Sequence, residues 1–396
     1  MQSLTILGAT GSIGESTVKL LKKHPEKFKL FAATAYRQVE KMWQIIQDFA
    51  PEVVVMVDAE AAKTLQQKVN AAQLNTEVLS GEASLLVVAK APQVSIVVAG
   101  IVGIAGLPPV IEAVKAKKRI LLANKEALVV TGQWLMQLVN QYQATLLPTD
   151  SEHHAVWECM PADFEFGVWH PQVDKLILTA SGGPFRTWSL ESLKQVTPAQ
   201  AIKHPTWSMG PKISTDCATL INKGLEVIEA CWLFGATPEQ VDILIHPQSA
   251  VHALVQYTDG HARAHMGPPD MQIPIAYGLA WPERIPTGVP PVNWATLGSL
   301  QFEQLDEQRF PAVALAKQAF RQKGAYCLAL NAANEQAVAA FLNHQLPFLS
   351  IVPICQKVLE SDWQLPVESL EGVMALDQKA RVLAQAFIDV VKEAVC

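Results

Sequence analysis

Thr5-Ile6-Leu7-Gly8-Ala9-Thr10-Gly11-Ser12-Ile13-Gly14-Glu15-Ser16-Thr17-Val18 is the stretch whose reading decides the fold. It runs from a short apolar strand through a glycine turn into a helix. Small residues at 8, 11 and 14 let backbone approach a pyrophosphate, and the unpaired N–H groups of the helix start can donate to it. The spacing Gly-x-x-Gly-x-x-Gly departs from the usual Gly-x-Gly-x-x-Gly, and a tight structural turn is the bland alternative. Its position, straight after the first strand and opening a helix, favours dinucleotide binding.

The rest of residues 1–150 keeps this rhythm. β-Branched runs at 4–7, 29–35, 53–57, 96–99, 119–122 and 144–147 read as strands, with amphipathic patterns such as 14–23 and 40–50 between them. That alternation predicts a parallel sheet covered by helices on both faces. From about residue 151 the pattern changes. Residues 181–212 are rich in Gly, Pro, Ser and Trp, as expected of a long functional loop. Pro282, Pro286, Pro290 and Pro291 suggest an extended connector. After Phe310, helical spacing at roughly 312–323, 332–344, 350–360 and 377–394 predicts a terminal bundle. The expected class is α/β: a Rossmann-like N-terminal domain with a parallel sheet (1–150), an α+β catalytic and dimerisation domain (151–285) with a lid loop at about 181–212, a connector (286–311) and a C-terminal α-helical bundle (312–396).

Composition narrows the function. Half of the 396 residues are hydrophobic and 17% are charged, which leaves ample apolar surface for cores and argues against disorder. With 31 Lys and Arg against 37 Asp and Glu, the formal charge is −6, which disfavours a nucleic-acid partner. Cys159, Cys217, Cys231, Cys327, Cys355 and Cys396 lie far apart without a C-x-x-C, arguing against a zinc ribbon or a disulfide scaffold and fitting a reducing cytosol. No basic segment precedes an apolar one at the N-terminus, so no secretory leader is expected. The most apolar stretch, Ile96 to Leu107, stops at Pro108-Pro109, too short to span a bilayer. The expectation is a cytoplasmic protein with no membrane partner.

The end of the second strand bears on which dinucleotide. An acidic residue there would hold the ribose 2′-hydroxyl of NAD, whereas a cation accommodates a 2′-phosphate. The segment Ala33-Thr34-Ala35-Tyr36-Arg37-Gln38 has no carboxylate and offers Arg37, which predicts NADP(H); a solvated Arg37 without that role is the alternative.

Two further runs carry chemistry. Leu146-Leu147-Pro148-Thr149-Asp150-Ser151-Glu152-His153 follows a buried strand at the carboxyl edge of the sheet, where ligands bind in open α/β folds. Extended geometry would set Asp150 and Glu152 on one side, and two close carboxylates repel unless one is protonated or a cation sits between them. Oxygen donors favour Mg²⁺ or Mn²⁺ over zinc, although Asp-x-Glu is also common in surface turns. In Asn222-Lys223-Gly224-Leu225-Glu226, helical spacing brings an amide, an ammonium and a carboxylate together, with Leu225, Ile228 and Trp232 as an apolar stripe. Pattern alone also fits an ordinary exposed face. Trp188, His204, Trp207 and Met209 suit a lid that closes over substrate, or permanent packing on the core.

Taken in order, Leu7–Gly14, Leu121-Leu122-Ala123-Asn124-Lys125-Glu126, Asp150-Ser151-Glu152-His153, Ser181-Gly182-Gly183-Pro184-Phe185-Arg186, His204-Pro205-Thr206-Trp207-Ser208-Met209-Gly210, Asn222–Glu226, Leu244-Ile245-His246-Pro247-Gln248-Ser249 and Leu330-Asn331-Ala332-Ala333-Asn334-Glu335 resemble the 1-deoxy-D-xylulose 5-phosphate reductoisomerase family over essentially the whole chain. The resemblance implies a cytoplasmic, homodimeric NADP-dependent oxidoreductase that rearranges and reduces 1-deoxy-D-xylulose 5-phosphate to 2-C-methyl-D-erythritol 4-phosphate, on the methylerythritol phosphate route to isoprenoids, with NADPH and a divalent cation, and that fosmidomycin inhibits. It further implies Asp150, Glu152 and Glu226 as ligands of Mg²⁺ or Mn²⁺, and Lys125 and Ser151 as substrate contacts near the metal. Ser181, His204, Cys217, Asn222 and Lys223 would surround the substrate phosphate, with Trp207 and Met209 as cover. Thr10, Gly11, Ser12, Ile13, Arg37, Gln38, Asn124, Glu126 and Gly210 would line the NADPH site. Cys217 stands where the best-known members have serine, and a thiol is bulkier and a weaker donor. Tyr36 stands where a smaller residue is often found. Met271, Ile273, Ile275 and Trp281 are candidates for a dimer interface.

Two rival readings, another NADP-dependent oxidoreductase and a non-catalytic NADPH-binding regulator, account for Gly8–Gly14 but give Asp150, Glu152 and Glu226 no joint purpose. For the cofactor, Arg37→Ala is expected to weaken NADPH by roughly ten- to hundredfold while leaving NADH little changed. Michaelis constants for the two cofactors measure this, and an unchanged preference would remove Arg37 from the role.

Overall fold

The computed structural model describes residues 1–207 and 209–395; Ser208, inside one quoted motif, and Cys396 lie outside the described residues. Two compact units form. One gathers Met1–Ala127, Leu135–His154 and Asp270–Pro290; the other gathers Leu128–Trp134, Ala155–Pro269 and Pro291–Cys396.

The first unit is a doubly wound α/β layer. Its strands are β1 (Gln2–Leu7), β2 (Phe28–Ala35), β3 (Val53–Met56), β4 (Glu77–Ser80), β5 (Ile96–Ala99), β6 (Arg119–Leu122) and β7 (Thr145–Pro148). They lie in the order β4-β3-β2-β1-β5-β6-β7, and every pairing is parallel. The chain reverses direction across the sheet between β1 and β5, and the cleft at such a reversal is where α/β sheets bind ligands. Helices α1 (Ser12–Lys23), α2 (Val39–Phe49), α3 (Ala59–Ala71), α4 (Glu82–Ala89), α5 (Leu107–Lys115) and α6 (Lys125–Tyr142) follow the strands in turn. Because both faces are covered, the central strands are apolar throughout: Leu4, Ile6, Ala33, Val54, Val98 and Leu121 are all buried in one core with Leu20, Met42, Ile46 and Leu65 of the helices. β4 was not legible as a strand, since Glu77-Val78-Leu79-Ser80 is a half-exposed edge with only two apolar residues.

Asp270–Pro290 also belongs to this unit. Its helix, Gln272–Ala280, buries Ile275 and Leu279 in the same core, with Met271 packed against it, and Gly278 lies so near Leu121 that a Cβ would stand 2.9 Å from its side chain. Ile275 and Met271, offered above to an interface, are therefore used within the unit.

The second unit takes in Leu128–Trp134 of α6 and the last turn of α7 (Ser151–Cys159), and holds a five-stranded sheet. Strand β8 (Val173–Ala180) leads to the long loop, in which two single-turn helices form, α8 (Leu190–Leu193) and α9 (Pro198–Ala201). Then come α10 (Pro211–Ala218), α11 (Ile221–Phe234), β9 (Val241–Ile245), β10 (Val251–Tyr257) and β11 (Ala262–Met266). After the helix at 272–280, named α12, and α13 (Trp294–Leu297), a short β12 (Glu303–Gln304) completes the sheet in the order β11-β10-β8-β9-β12. Only β8 and β9 pair in parallel. The terminal helices are α14 (Ala312–Gln322), α15 (Tyr326–Leu342), α16 (Ile351–Leu359) and α17 (Leu370–Val395). Two begin earlier than their periodicity suggested, α15 by six residues and α17 by seven; in α15 Tyr326 to Asn334 is buried without a break, which leaves no amphipathic period to read. Among the described residues, no helix is long and apolar enough to cross a membrane.

Glycine 14 fixes the approach of α1 to β1, because a Cβ there would stand 2.4 Å from the Ala9 backbone. Gly14→Ala is expected to lower stability by about 1–3 kcal/mol, as overpacking does. Thermal melts measure it; an unchanged midpoint would mean that the turn relaxes freely.

Candidate active site

The nucleotide end of the site is built by the glycine turn. Gly8 sits at φ +82°, where a side chain is strained, and its N–H donates to Thr34 Oγ1 at 2.9 Å. A Cβ at Gly8 would also meet the Gly100 carbonyl at 2.9 Å. The helix cap Gly11 offers no side-chain hydrogen bond, so the first N–H groups of α1, at Ser12 and Ile13, face outward as an anion cradle. Thr10 is buried beside them. Backbone and glycine alone make this cradle, which fits a pyrophosphate.

At the tip of β2, Arg37 is exposed and Tyr36 stacks under its guanidinium at 4.9 Å. Its Nε donates to Asp58 Oδ2 at 2.7 Å. The reading that no carboxylate stands here thus holds for the β2 segment and fails for the site, because Asp58 arrives from the end of β3. Its other oxygen accepts from Ala61 N at 3.0 Å, capping α3. The backbone N–H of Ala61 and the Arg37 guanidinium hold its carboxyl below the ordinary range. The signal was an aspartate placed directly before a helical pattern. Gln38 caps α2. Asn124 does double duty: its Oδ1 accepts from Ala127 N at 3.3 Å to cap α6, and its Nδ2 donates to the Gly103 carbonyl at 3.0 Å. Glu126, in the first turn of α6, is buried.

The carboxyl end of β7 delivers Asp150. The extended geometry expected through Glu152 does not form, because α7 begins at Ser151. Lys125, the first residue of α6, places Nζ 2.5 Å from Asp150 Oδ2, and His153 Nδ1 lies 3.6 Å from the same oxygen. Burial pushes the Asp150 carboxyl up, but the Lys125 ammonium and the His153 ring outweigh it and hold it well below the usual carboxylate range. Ser151 Oγ donates to Glu152 Oε2 at 2.5 Å.

In the second unit, α11 is buried on nearly every side, which overturns the exposed-face alternative. Gly224 allows this, since a Cβ there would lie 2.8 Å from that of Ala316 on α14. Asn222 Nδ2 donates to Glu226 Oε1 and Lys223 Nζ to Oε2, each at 2.5 Å. Amide, ammonium and carboxylate meet as the spacing suggested. Ser181, directly after β8, opens a turn in which Gly182 and Gly183 adopt φ +84° and +69°. Gly183 lies against α10, where a Cβ would be 2.7 Å from the Cys217 carbonyl. Asp216, on α10 and 1% exposed, is neutralised by Lys212 at 2.8 Å and accepts from Asn334 Nδ2 of α15 at 2.9 Å. Gly210 caps α10.

His204 Nε2 lies 3.1 Å from Ser181 Oγ. Burial and the Lys223 charge push its pKa down to about 4. Trp207 and Met209 are half-buried. Trp188 is also half-buried and packs on buried Phe185, ring centroids 4.8 Å apart.

A histidine depressed when folded is protonated first in the unfolded chain, so its stabilisation is present above the ordinary value of 6.5 and is lost as pH falls towards about 4. Denaturant melts across that window are expected to show wild-type stability dropping more steeply than that of His204→Asn; parallel curves would contradict a half-buried neutral imidazole.

Comparison with known proteins identifies the family. The family model described as 1-deoxy-D-xylulose 5-phosphate reductoisomerase matches residues 4–132, and two models of its C-terminal domains match 146–234 and 266–383. The reductoisomerase of Pseudomonas savastanoi pv. phaseolicola is 49% identical over 98% of both chains, and that of Pseudomonas syringae pv. syringae is 50% identical over 97% of both. A reductoisomerase crystal structure in complex with NADPH, fosmidomycin and magnesium superposes with a TM-score of 0.92 at 41% identity, covering 99% of each chain. The Zymomonas mobilis enzyme in complex with NADPH gives 0.90 at 39% identity over 98% of each. The chain belongs to the 1-deoxy-D-xylulose 5-phosphate reductoisomerase family.

Proposed function

We propose that this protein converts 1-deoxy-D-xylulose 5-phosphate to 2-C-methyl-D-erythritol 4-phosphate in non-mevalonate isoprenoid biosynthesis, using NADPH and Mg²⁺ or Mn²⁺. The observation that carries this reading is identity to the named reductoisomerases at about half of all positions along nearly the whole chain. When bound, the cation supplies Lewis-acid polarisation of the substrate's carbonyl and hydroxyl oxygens, and NADPH supplies the hydride.

The chain's own residues suit those groups. Asp150, Glu152 and Glu226 are assigned to the cation by motif match, and their chemistry agrees: oxygen donors suit a hard divalent ion. Lys125 and His153 keep Asp150 ionised although its side chain is only 15% exposed, so it is ready to bind a cation without first losing a proton. Asn222 and Lys223 orient the Glu226 carboxylate. Lys223, Asn222, Ser181, His204 and Cys217 are assigned to the substrate phosphate, and Lys125 with Ser151 to the reacting end of the substrate. Trp207 and Met209 are assigned to cover it and exclude water. Gly8 to Gly14 cradle the NADPH pyrophosphate, Arg37 with Gln38 takes its 2′-phosphate end, and Asn124, Glu126 and Gly210 complete its lining. The reading extends to a cytoplasmic homodimer that fosmidomycin inhibits, with residues 1–150 serving the cofactor, 151–285 the chemistry and dimerisation, 286–311 the connection and 312–396 the bundle.

Glu226→Gln removes one negative charge with little change of shape, so Mn²⁺ affinity and turnover are both expected to fall at least tenfold. NADPH oxidation with deoxyxylulose phosphate, and metal titration, read the two effects. Full turnover in excess EDTA would refute the metal assignment.

A further inference from the structure

We propose that His204 is a positioning residue that acts as a neutral hydrogen-bond relay, turning the Ser181 hydroxyl into a dedicated donor for the substrate phosphate while fixing the loop backbone that carries Trp207. The proposal rests on the functional reading above for the identity of the phosphate; the relay itself follows from hydrogen bonding within one unit.

The imidazole has two nitrogens with separate partners. The backbone N–H groups of Thr206 and Trp207 both point at Nδ1, at 3.2 and 2.9 Å. A nitrogen that accepts two N–H groups carries no hydrogen of its own, so the ring is neutral and its hydrogen sits on Nε2. Nε2–H therefore donates to Ser181 Oγ, 3.1 Å away. Its depressed pKa, caused by burial and by Lys223, agrees with this protonation state.

The consequence falls on the serine. Its hydroxyl has two acceptor lone pairs and one donor hydrogen. Nε2–H of His204 fills one lone pair, and Gly183 N–H fills the other at 3.2 Å. That second bond closes across Gly182, which adopts positive φ. With both lone pairs accepting, the Ser181 O–H can only donate outward. A phosphate oxygen only accepts, so the hydroxyl is committed to a phosphate before substrate arrives. A protonated His204 would instead carry a hydrogen on Nδ1, opposing the Thr206 and Trp207 N–H groups and releasing the loop. The ring thus contributes no positive charge to phosphate binding; that charge comes from Lys223.

The test uses the full-length protein. Imidazole ¹⁵N NMR at pH 6 is expected to show His204 with an unprotonated Nδ1 and a protonated Nε2. A cationic ring, or a hydrogen on Nδ1, would overturn the proposal. A double-mutant cycle then reads the coupling. His204→Asn retains an acceptor near Nδ1 but loses the donor to Ser181. Ser181→Ala and His204→Asn are each expected to raise KM for deoxyxylulose phosphate about tenfold, with kcat changed less than about threefold. The double variant is expected to match Ser181→Ala, because both remove one hydroxyl contact. Multiplicative losses near a hundredfold would mean that His204 acts on the phosphate independently, and would overturn the relay. NADPH affinity, measured by fluorescence, serves as the folding control for each variant. Absence of turnover by the wild-type enzyme would refute the functional reading, while the NMR result would still judge the tautomer.

Discussion

A buried charge has to be paired, and this constraint acts in each of the two units. Taking a carboxylate out of water costs several kcal/mol unless opposite charge and hydrogen bonds replace the lost solvent. The fold meets that requirement twice with the same chemistry. Lys125 answers Asp150 at the sheet's carboxyl edge, and Lys223 answers Glu226 inside a helix buried on almost every side. Each lysine ammonium is held within reach of a carboxylate, so each pair is charged, ordered and oriented before any ligand binds. The strand–helix junctions and the α11–α14 crossing at Gly224 exist in a form that permits these pairs.

The same economy governs the proposed phosphate end. The residues proposed for it lie on separate elements of the second unit: Ser181 in the turn after β8, His204 in the loop before α10, which acts through Ser181, and Asn222 and Lys223 in the first turn of α11. Backbone contacts register them against one another. Gly183 lies so close to α10 that a Cβ there would stand 2.7 Å from the Cys217 carbonyl, so the turn after β8 is seated on the backbone of that helix. Asp216, next in sequence, ties α10 to α15 through Asn334. The terminal helices are thereby tied to the helix that leads into Asn222–Glu226.

Much of this was legible in the sequence because the signals were periodic or local. The strands from β1 to β7 other than β4 announced themselves as apolar runs, since strands covered on both faces have no polar alternation to dilute them. Asn222, Lys223 and Glu226 came together as their helical spacing required. What escaped was set by tertiary context. Burial of α11 depends on a glycine opposite two alanines of a helix nearly ninety residues later, which no window on the sequence reveals. The helical start at Ser151 replaced an extended segment because the chain turns at the sheet edge. Asp58 escaped because its partner, Arg37, lies on a neighbouring strand's exit. The early start of α15 escaped because Tyr326 to Asn334 is buried without a break, which leaves no amphipathic period to read.

Asp58 also sets a condition on redesign. Its carboxylate serves two masters, the α3 cap and the Arg37 guanidinium, and stands at the tip of the adjacent strand. Exchanging the arginine alone for an acidic residue, the obvious route towards a ribose-hydroxyl preference, would set two anions side by side with no cation to separate them. Reversal of coenzyme choice in this scaffold is therefore a two-site problem, in which the neighbour must keep an oxygen for the helix while surrendering its charge.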